Sequence, residues 1–371
     1  MFYHWFFQFQ NASIDSIGFK ADVILRCTLA TLTAFLTTIL VGAFVIKKLK
    51  KFHVAEDTSK TDSEELKRLH EGKKNTPTMG GIIIMIGIVG STFLWCNLRN
   101  GYVLLSLFAI LCFGIIGFFD DYIKLTQKHA AGLTWRTKLM SQFALSFVLA
   151  LILYFCFGGI EGFTSLAIPF FTQLKVNLGP LYLVAITIFI AASSNAVNLT
   201  DGLDGLAIGC TIITATTLAC VTYIVGHASV GAYCNTPLHI LHIPECTELS
   251  IFCSALIGAG LGFLWYNCFP AQVFMGNTGS LSIGGVLGFI AAVSKQELLL
   301  LLIGSIFFIE LFSVLIQFTY FKLSGGKRVF RCAPIHHHFQ FMGWSETKIT
   351  NRFFILAAVI AAFGFAGFTS G

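Results

Sequence analysis

Apolar residues along this chain fall in long unbroken runs separated by short polar stretches, without the strict alternation of half-buried strands. A run of about 18 or more apolar residues predicts a helix that crosses a bilayer, because a helix rises about 1.5 Å per residue and the hydrocarbon core is about 30 Å thick. About ten such spans are predicted, over 23–46, 80–97, 103–121, 137–158, 179–197, 206–226, 251–267, 282–294, 297–321 and 353–369. The eighth is short and predicts a broken or tilted helix. The run over 160–175 reads as a re-entrant or surface segment on the outer side. The expected fold is therefore an all-α, polytopic integral membrane protein forming one transmembrane domain over 1–371. Its first residues, 1–21, are expected to be an interfacial segment. They begin MFYHWFFQFQ, which is aromatic and lacks both a basic region and a small-residue cleavage site.

Composition agrees: the chain is 56% hydrophobic and only 11% charged, where soluble domains carry roughly 25% charged residues. With both termini outside, the outer side holds Lys20, Arg26, Arg99, Lys175 and Lys295, and the rest of the 24 lysines and arginines fall on the inner side. That asymmetry sets the orientation. The net charge of +6 sits in loops between spans, so it gives no nucleic-acid signal. Most of the 11 cysteines lie in apolar runs and read as small buried hydrophobes. Cys234 and Cys246 share the outer loop after the sixth span and are expected to be two free thiols.

Five polar, non-repetitive segments fall on the inner side of this map: KKNTPTMGG (73–81), DDYIK (120–124), NLTDGLDG (198–205), FMGNTGS (274–280) and PIHHHFQ (334–340). Carboxylates near a bilayer are costly and usually functional, so one site on the inner face is the simplest reading. Asp120 and Asp121 are adjacent in a helix and point about 100° apart, so one can meet a cation while the other faces a second substrate. Lys124, one turn on, can pair with Asp120 or bind phosphate. Asp201 and Asp204 are expected to share a helical face, as are Asn195 and Asn198. Such carboxylate and amide oxygens suit Mg²⁺. FMGNTGSLSIGG (274–285) reads as a glycine-rich loop leading into a helix N-terminus. His336, His337 and His338 read as diphosphate-binding donors rather than a Zn²⁺ site.

Taken in order, KKNTPTMGG, FFDDYIK, NAVNLTDGLDGLA, GFLWYN, PAQVFMG, GSLSIGG and PIHHHFQFMGW resemble the phospho-N-acetylmuramoyl-pentapeptide-transferase family. The resemblance implies transfer of phospho-MurNAc-pentapeptide from UDP-MurNAc-pentapeptide to undecaprenyl phosphate, giving lipid I and UMP. It also implies Mg²⁺ dependence and a site on the cytoplasmic face of a bacterial inner membrane. It places catalytic roles on Asp120, Asp121, Asp201, His336 and His337. Substrate contacts are implied for Lys73, Thr78, Lys124, Lys138, Asn195, Asn198, Asp204, Phe274 (a uracil-stacking ring) and His338. Metal ligands are implied at Asp201 and at position 277. There the family motif MGD reads MGN, so Asn277 keeps an oxygen but loses the charge, and metal affinity is expected to fall. A homodimer is left open. Replacing Asp120, Asp121 or Asp201 by Asn is expected to lower turnover without unfolding the protein. Two rival readings are a sibling transferase using UDP-GlcNAc and a transporter of anionic metabolites. The second is disfavoured because the acids cluster at one face rather than at mid-membrane.

Overall fold

The apolar runs form helices because lipid offers no partner for backbone N–H and C=O groups, which must then be satisfied within each segment. The computed structural model describes residues 21–51, 73, 76–126, 132–157, 162–227 and 241–369. The interfacial segment expected over 1–21, apart from Ala21, and Cys234 lie outside the described residues.

The helices are α1 (Ala21–Lys51), α2 (Gly81–Trp95), α3 (Gly101–Thr126), α4 (Trp135–Phe157), α5 (Leu181–Thr200) and α6 (Leu206–Gly226). They continue with α7 (Thr247–Asn267), α8 (Gly276–Val293), α9 (Glu297–Ile303), α10 (Ser305–Leu323), α11 (Ile335–Gln340) and α12 (Glu346–Thr369). Among the described residues nine helices are long and apolar enough to cross a membrane, and α2, with 15 residues, is a shorter apolar helix. The polytopic all-α fold therefore holds, with three local differences.

The segment read as an outer surface run is a two-stranded antiparallel hairpin, β1 (Ser165–Ile168) with β2 (Phe171–Asn177). The ninth span is broken at Gly304 into α9 and α10. The eighth is an unbroken 18-residue helix that begins at Gly276, six residues before the expected start. Its polar first turns, GNTGSLS, hide it from an apolar count, yet α8 is the most enclosed span, 89% buried. Polar residues there face protein rather than lipid, where hydrogen bonds replace hydration.

Helices α7 and α8 form the middle of the bundle, while α1, α4 and α10 are each only 28% buried and present Leu36, Leu40, Phe147 and Leu315 outward. At one end Arg26 is fully buried, donating two bonds to the Glu248 carboxylate (2.7 and 2.8 Å) and two to Trp95 O. Arg26, counted on the outer side of the sequence map, is a clasp joining α1, α2 and α7. Removing one partner of a buried ion pair leaves a bare charge, so Glu248→Gln is expected to cost about 3 kcal/mol, read as a lowered unfolding midpoint in detergent. The same end holds the close of α12, where Phe170 N donates to Gly367 O at 3.0 Å. Lys295 lies at this end too, buried against Glu297 and Tyr182, and burial pushes its ammonium below the ordinary lysine range. All five polar segments gather at the opposite end.

Candidate active site

The end of α3, the start of α4, the end of α5 and the first turn of α8 meet at one buried polar cluster. Asp120 and Asp121 are both buried, and both reach Asn277, Asp120 at its side chain and Asp121 at its backbone. Asp120 Oδ1 accepts from Leu133 N at 2.8 Å. Its Oδ2 accepts from the Asn277 side-chain amide and stands 3.0 Å from Lys124 Nζ and 3.7 Å from Lys138 Nζ. Asp121 accepts from Asn277 N (3.1 Å), Thr278 N (2.9 Å) and Thr278 Oγ1 (2.8 Å). It is a borrowed cap for α8, satisfying N–H groups that a helix start leaves open. Close approach of the two helices is what permits this: a side chain at Gly117, one turn before Asp121, would overlap Asn277 O.

Asn277 is the hub. Its amide nitrogen serves Asp120, and its oxygen accepts from Asn198 Nδ2 (2.5 Å) and Lys138 Nζ (3.2 Å). Lys138 also reaches Asn198 Oδ1 at 3.1 Å, and Asn198 donates to Ser280 Oγ at 2.8 Å. Two carboxylates face two ammonium groups, so the cluster is charge-balanced. Asn195, expected beside Asn198, instead bonds Gln142 Oε1 (2.5 Å) and Ala191 O (2.9 Å).

The segment before α2 lies along the one before α8. Phe274 N donates to Pro77 O, Gly80 N to Phe274 O and Gly81 N to Met275 O, each at 2.8 Å. This pairing sets Thr78 beside the Asp121 carboxylate: a Cβ built on Gly276 would stand 2.9 Å from Thr78 Oγ1 and 2.8 Å from Asp121 Oδ2. Gly276 has φ +70°, which glycine adopts without strain. The expected glycine-rich loop is therefore only Phe274–Met275; the rest is helix.

Three residues back from Asn277, Phe274 borders a second cluster. Lys73 Nζ lies 5.8 Å from its ring centre and makes 2.6 Å ion pairs with both Asp204 and Glu346. Glu346 also accepts from Asp204 N (2.7 Å), Asp204 Oδ2 from Ala271 N (2.9 Å), and Asn267 Oδ1 from Gly205 N (3.1 Å). Asp201 and Asp204 do not share a helical face. Helix α5 ends at Thr200, and 201–205 is a turn closed by Gly205 at φ +77°. Asp201 remains half-buried at the mouth of α5, one turn past Asn198.

The three histidines face three ways. His336 is buried, its Nδ1 3.1 Å from Glu310 Oε1. His337 Nδ1 lies 2.7 Å from Gln340 Oε1, within the same short helix. His338 Nδ1 accepts from Arg331 N at 3.1 Å.

Among the described residues no three His, Cys, Asp or Glu side chains stand together as a cation cage. The hard oxygens on offer are the Asp120 carboxylate and the Asn277 and Asn198 amides. They suit Mg²⁺, which binds through one or two carboxylates and keeps waters and substrate phosphate oxygens. Two acids of these clusters, Glu310 and Glu346, escape the sequence reading. Glu310 carries a usable signal, a lone acid inside an apolar run, whereas Glu346 looks like an ordinary residue of a helix's first turn.

The chain is similar to known proteins over most of its length. Glycosyl transferase family 4 matches residues 103–295, and the phospho-N-acetylmuramoyl-pentapeptide-transferase signature 1 matches residues 73–85. The phospho-N-acetylmuramoyl-pentapeptide-transferase of Desulforapulum autotrophicum is 44% identical over 361 residues, covering 97% of each chain. That of Maridesulfovibrio salexigens is 44% identical over 363 residues, again 97% of each. That of Thermodesulfovibrio yellowstonii is 45% identical over 353 residues, 94% of each.

Proposed function

Because the chain belongs to the phospho-N-acetylmuramoyl-pentapeptide-transferase family, a family of phosphosugar transferases, we propose that it joins UDP-MurNAc-pentapeptide to undecaprenyl phosphate, releasing UMP and forming lipid I. The observation that carries this reading is the junction of two unlike clusters along one short segment, Phe274 to Asn277. Around Lys73, one ammonium faces two carboxylates. A site with that excess negative charge repels phosphate and suits a neutral polar ring, and Phe274 beside it offers a stacking face. The uracil of the donor fits there. Around Asp120, the balanced set of Lys124, Lys138, Asn198 and Asn277 suits anionic oxygens instead.

In the proposed reaction a phosphate oxygen of undecaprenyl phosphate attacks the sugar-bearing β-phosphorus. The bond from that phosphorus to the bridging oxygen breaks, and UMP leaves with the electron pair. A phosphate monoester has a second pKa near roughly 6, so the acceptor is largely dianionic at neutral pH and needs no strong base. Lys124 and Lys138 hold phosphoryl oxygens, and Asp120 orients both ammonium groups. Asp121, saturated by three donors, fixes the start of α8 and hence Asn277. Asp201 and His337 lie toward the donor diphosphate. Asp120 and Asn277 would hold Mg²⁺, which supplies charge neutralisation for the diphosphate when bound. The site lies on the cytoplasmic face of the inner membrane, since the five polar segments share the lysine- and arginine-rich side.

The direct test is UMP release from purified protein given both substrates, with and without Mg²⁺. The expected result is release that requires the acceptor and falls to background with EDTA. Lipid product from UDP-GlcNAc but none from UDP-MurNAc-pentapeptide would move the protein to the sibling reaction. A second measurement concerns the base pocket. Phe274→Leu is expected to raise KM for the donor about tenfold while kcat changes little, since stacking on an aromatic ring contributes about 1–3 kcal/mol per base; an unchanged KM would remove Phe274 from the donor site.

A further inference from the structure

Glu310 is the only acid in α10, and it is fully enclosed. A carboxylate at that depth is costly unless a partner holds it. Its partner comes from outside the span. Helix α11 sets His336 over it, with Nδ1 3.1 Å from Glu310 Oε1 and the His336 backbone N–H 3.4 Å from Oε2. The imidazole is itself buried and packs against His337, ring centres 4.1 Å apart. Neither ring nitrogen makes a hydrogen bond among the described residues: Nδ1 meets Oε1 as a close charge contact, and on the opposite side of the ring stands Nε2. It faces the backbone at Gly202, in the turn that carries Asp201 and Asp204, and any side chain at 202 would overlap it. One side of the ring thus abuts a carboxylate, and the other is aimed at the turn through a gap left by a missing Cβ.

We propose that Glu310 is a positioning residue: it takes the Nδ1–H of His336 and thereby presents Nε2 to the donor diphosphate at the Asp201–Gly202 turn. A carboxylate behind a histidine fixes both the tautomer and the ring plane of the nitrogen that works. This role rests on the phosphosugar-transfer reading, but its structural half, the Glu310–His336 pair, does not.

The test therefore has two readouts. In histidine-¹⁵N-labelled protein, with the His336 signal assigned by its loss in His336→Gln, Nδ1 is expected to carry the proton in the wild type. In Glu310→Leu, which offers no acceptor, the neutral ring is expected to lose that preference. An unchanged His336 spectrum would overturn the proposal whether or not the protein is a transferase. In turnover, Glu310→Leu is expected to lower kcat about 10- to 100-fold, the usual cost of losing such a partner, while UMP affinity stays within twofold. Adding Glu310→Leu to His336→Gln should then cost nothing more. Losses that multiply in the double variant, or a kcat within twofold of wild type in Glu310→Leu, would also overturn it. If Glu310→Leu does not fold, Gly202→Ala displaces the ring from the opposite side without touching Glu310. It is expected to give the same loss of kcat, and full activity there would refute the aim of Nε2. Wild-type protein that releases no UMP with both substrates would defeat the transferase reading alone and leave the ¹⁵N result standing.

Discussion

Asp120→Asn is expected to lower turnover about 100- to 1,000-fold, the range for removing one preorganised electrostatic group, in protein that still folds. The carboxylate is the shared counter-ion of Lys124 and Lys138, at 3.0 and 3.7 Å. With a neutral amide there, two ammonium groups lose the charge that orders them, although the Leu133 N–H keeps an acceptor. The neighbouring change should behave differently. Asp121 accepts three bonds from the first turn of α8, and an amide cannot accept all three in the same geometry. Asp121→Asn is expected to cost about 1–3 kcal/mol of stability as well as activity, short of unfolding the protein. Thermal unfolding beside kcat for both variants separates the roles. Near-normal turnover in folded Asp120→Asn would remove that residue from the catalytic set.

The spans are legible because lipid imposes one strong rule, that a chain crossing it must be apolar and helical. Where that rule relaxes, sequence and structure part. The first turns of α8 are polar because they are packed in protein, so hydropathy starts the span at 282 rather than 276. The break at Gly304 leaves no mark in hydropathy, since both sides are apolar. The hairpin over 165–177 is short and lies where strand and surface loop look alike in composition.

The site is legible as a set of segments but not as a set of contacts. Density of polar groups at helix ends brings out Asp120, Asn198, Asp204 and Lys73, and the fold gathers all of them at one end of the bundle. Spacing alone misjudges the Asp201–Asp204 pair, because it assumes a helix where Gly205 makes a turn. It also sets Asn195 with Asn198, although a three-residue step lets one reach Gln142 on α4 and the other Asn277 on α8. Glu346 and Glu310 are tied to their partners by tertiary contacts across 273 and 26 residues, a separation no local pattern reports.

Asn277→Asp is expected to turn a self-satisfied cluster into one that depends on a cation. As the chain stands, the Asn277 amide donates to Asp120 and accepts from Lys138 and Asn198, so the site closes on itself with two carboxylates against two ammonium groups. A carboxylate at 277 removes the donor to Asp120, sets two negative oxygens face to face and leaves the cluster with one excess negative charge. In a buried setting that repulsion is screened less than in water. Mg²⁺ relieves it, and a ligand that binds only the folded form stabilises it by about 2.7 kcal/mol at 100 times its Kd. The variant is therefore expected to unfold earlier than wild type in EDTA and to gain several degrees in saturating Mg²⁺, while the wild-type midpoint responds weakly. Turnover at limiting Mg²⁺ should rise in the variant, with the gap narrowing at saturation if affinity alone has changed. A gap that persists would place the new charge in the transition state as well. Identical Mg²⁺ responses in both readouts would show that position 277 does not contact the cation, and the assignment of Asn277 to the metal-binding edge of the site would fall.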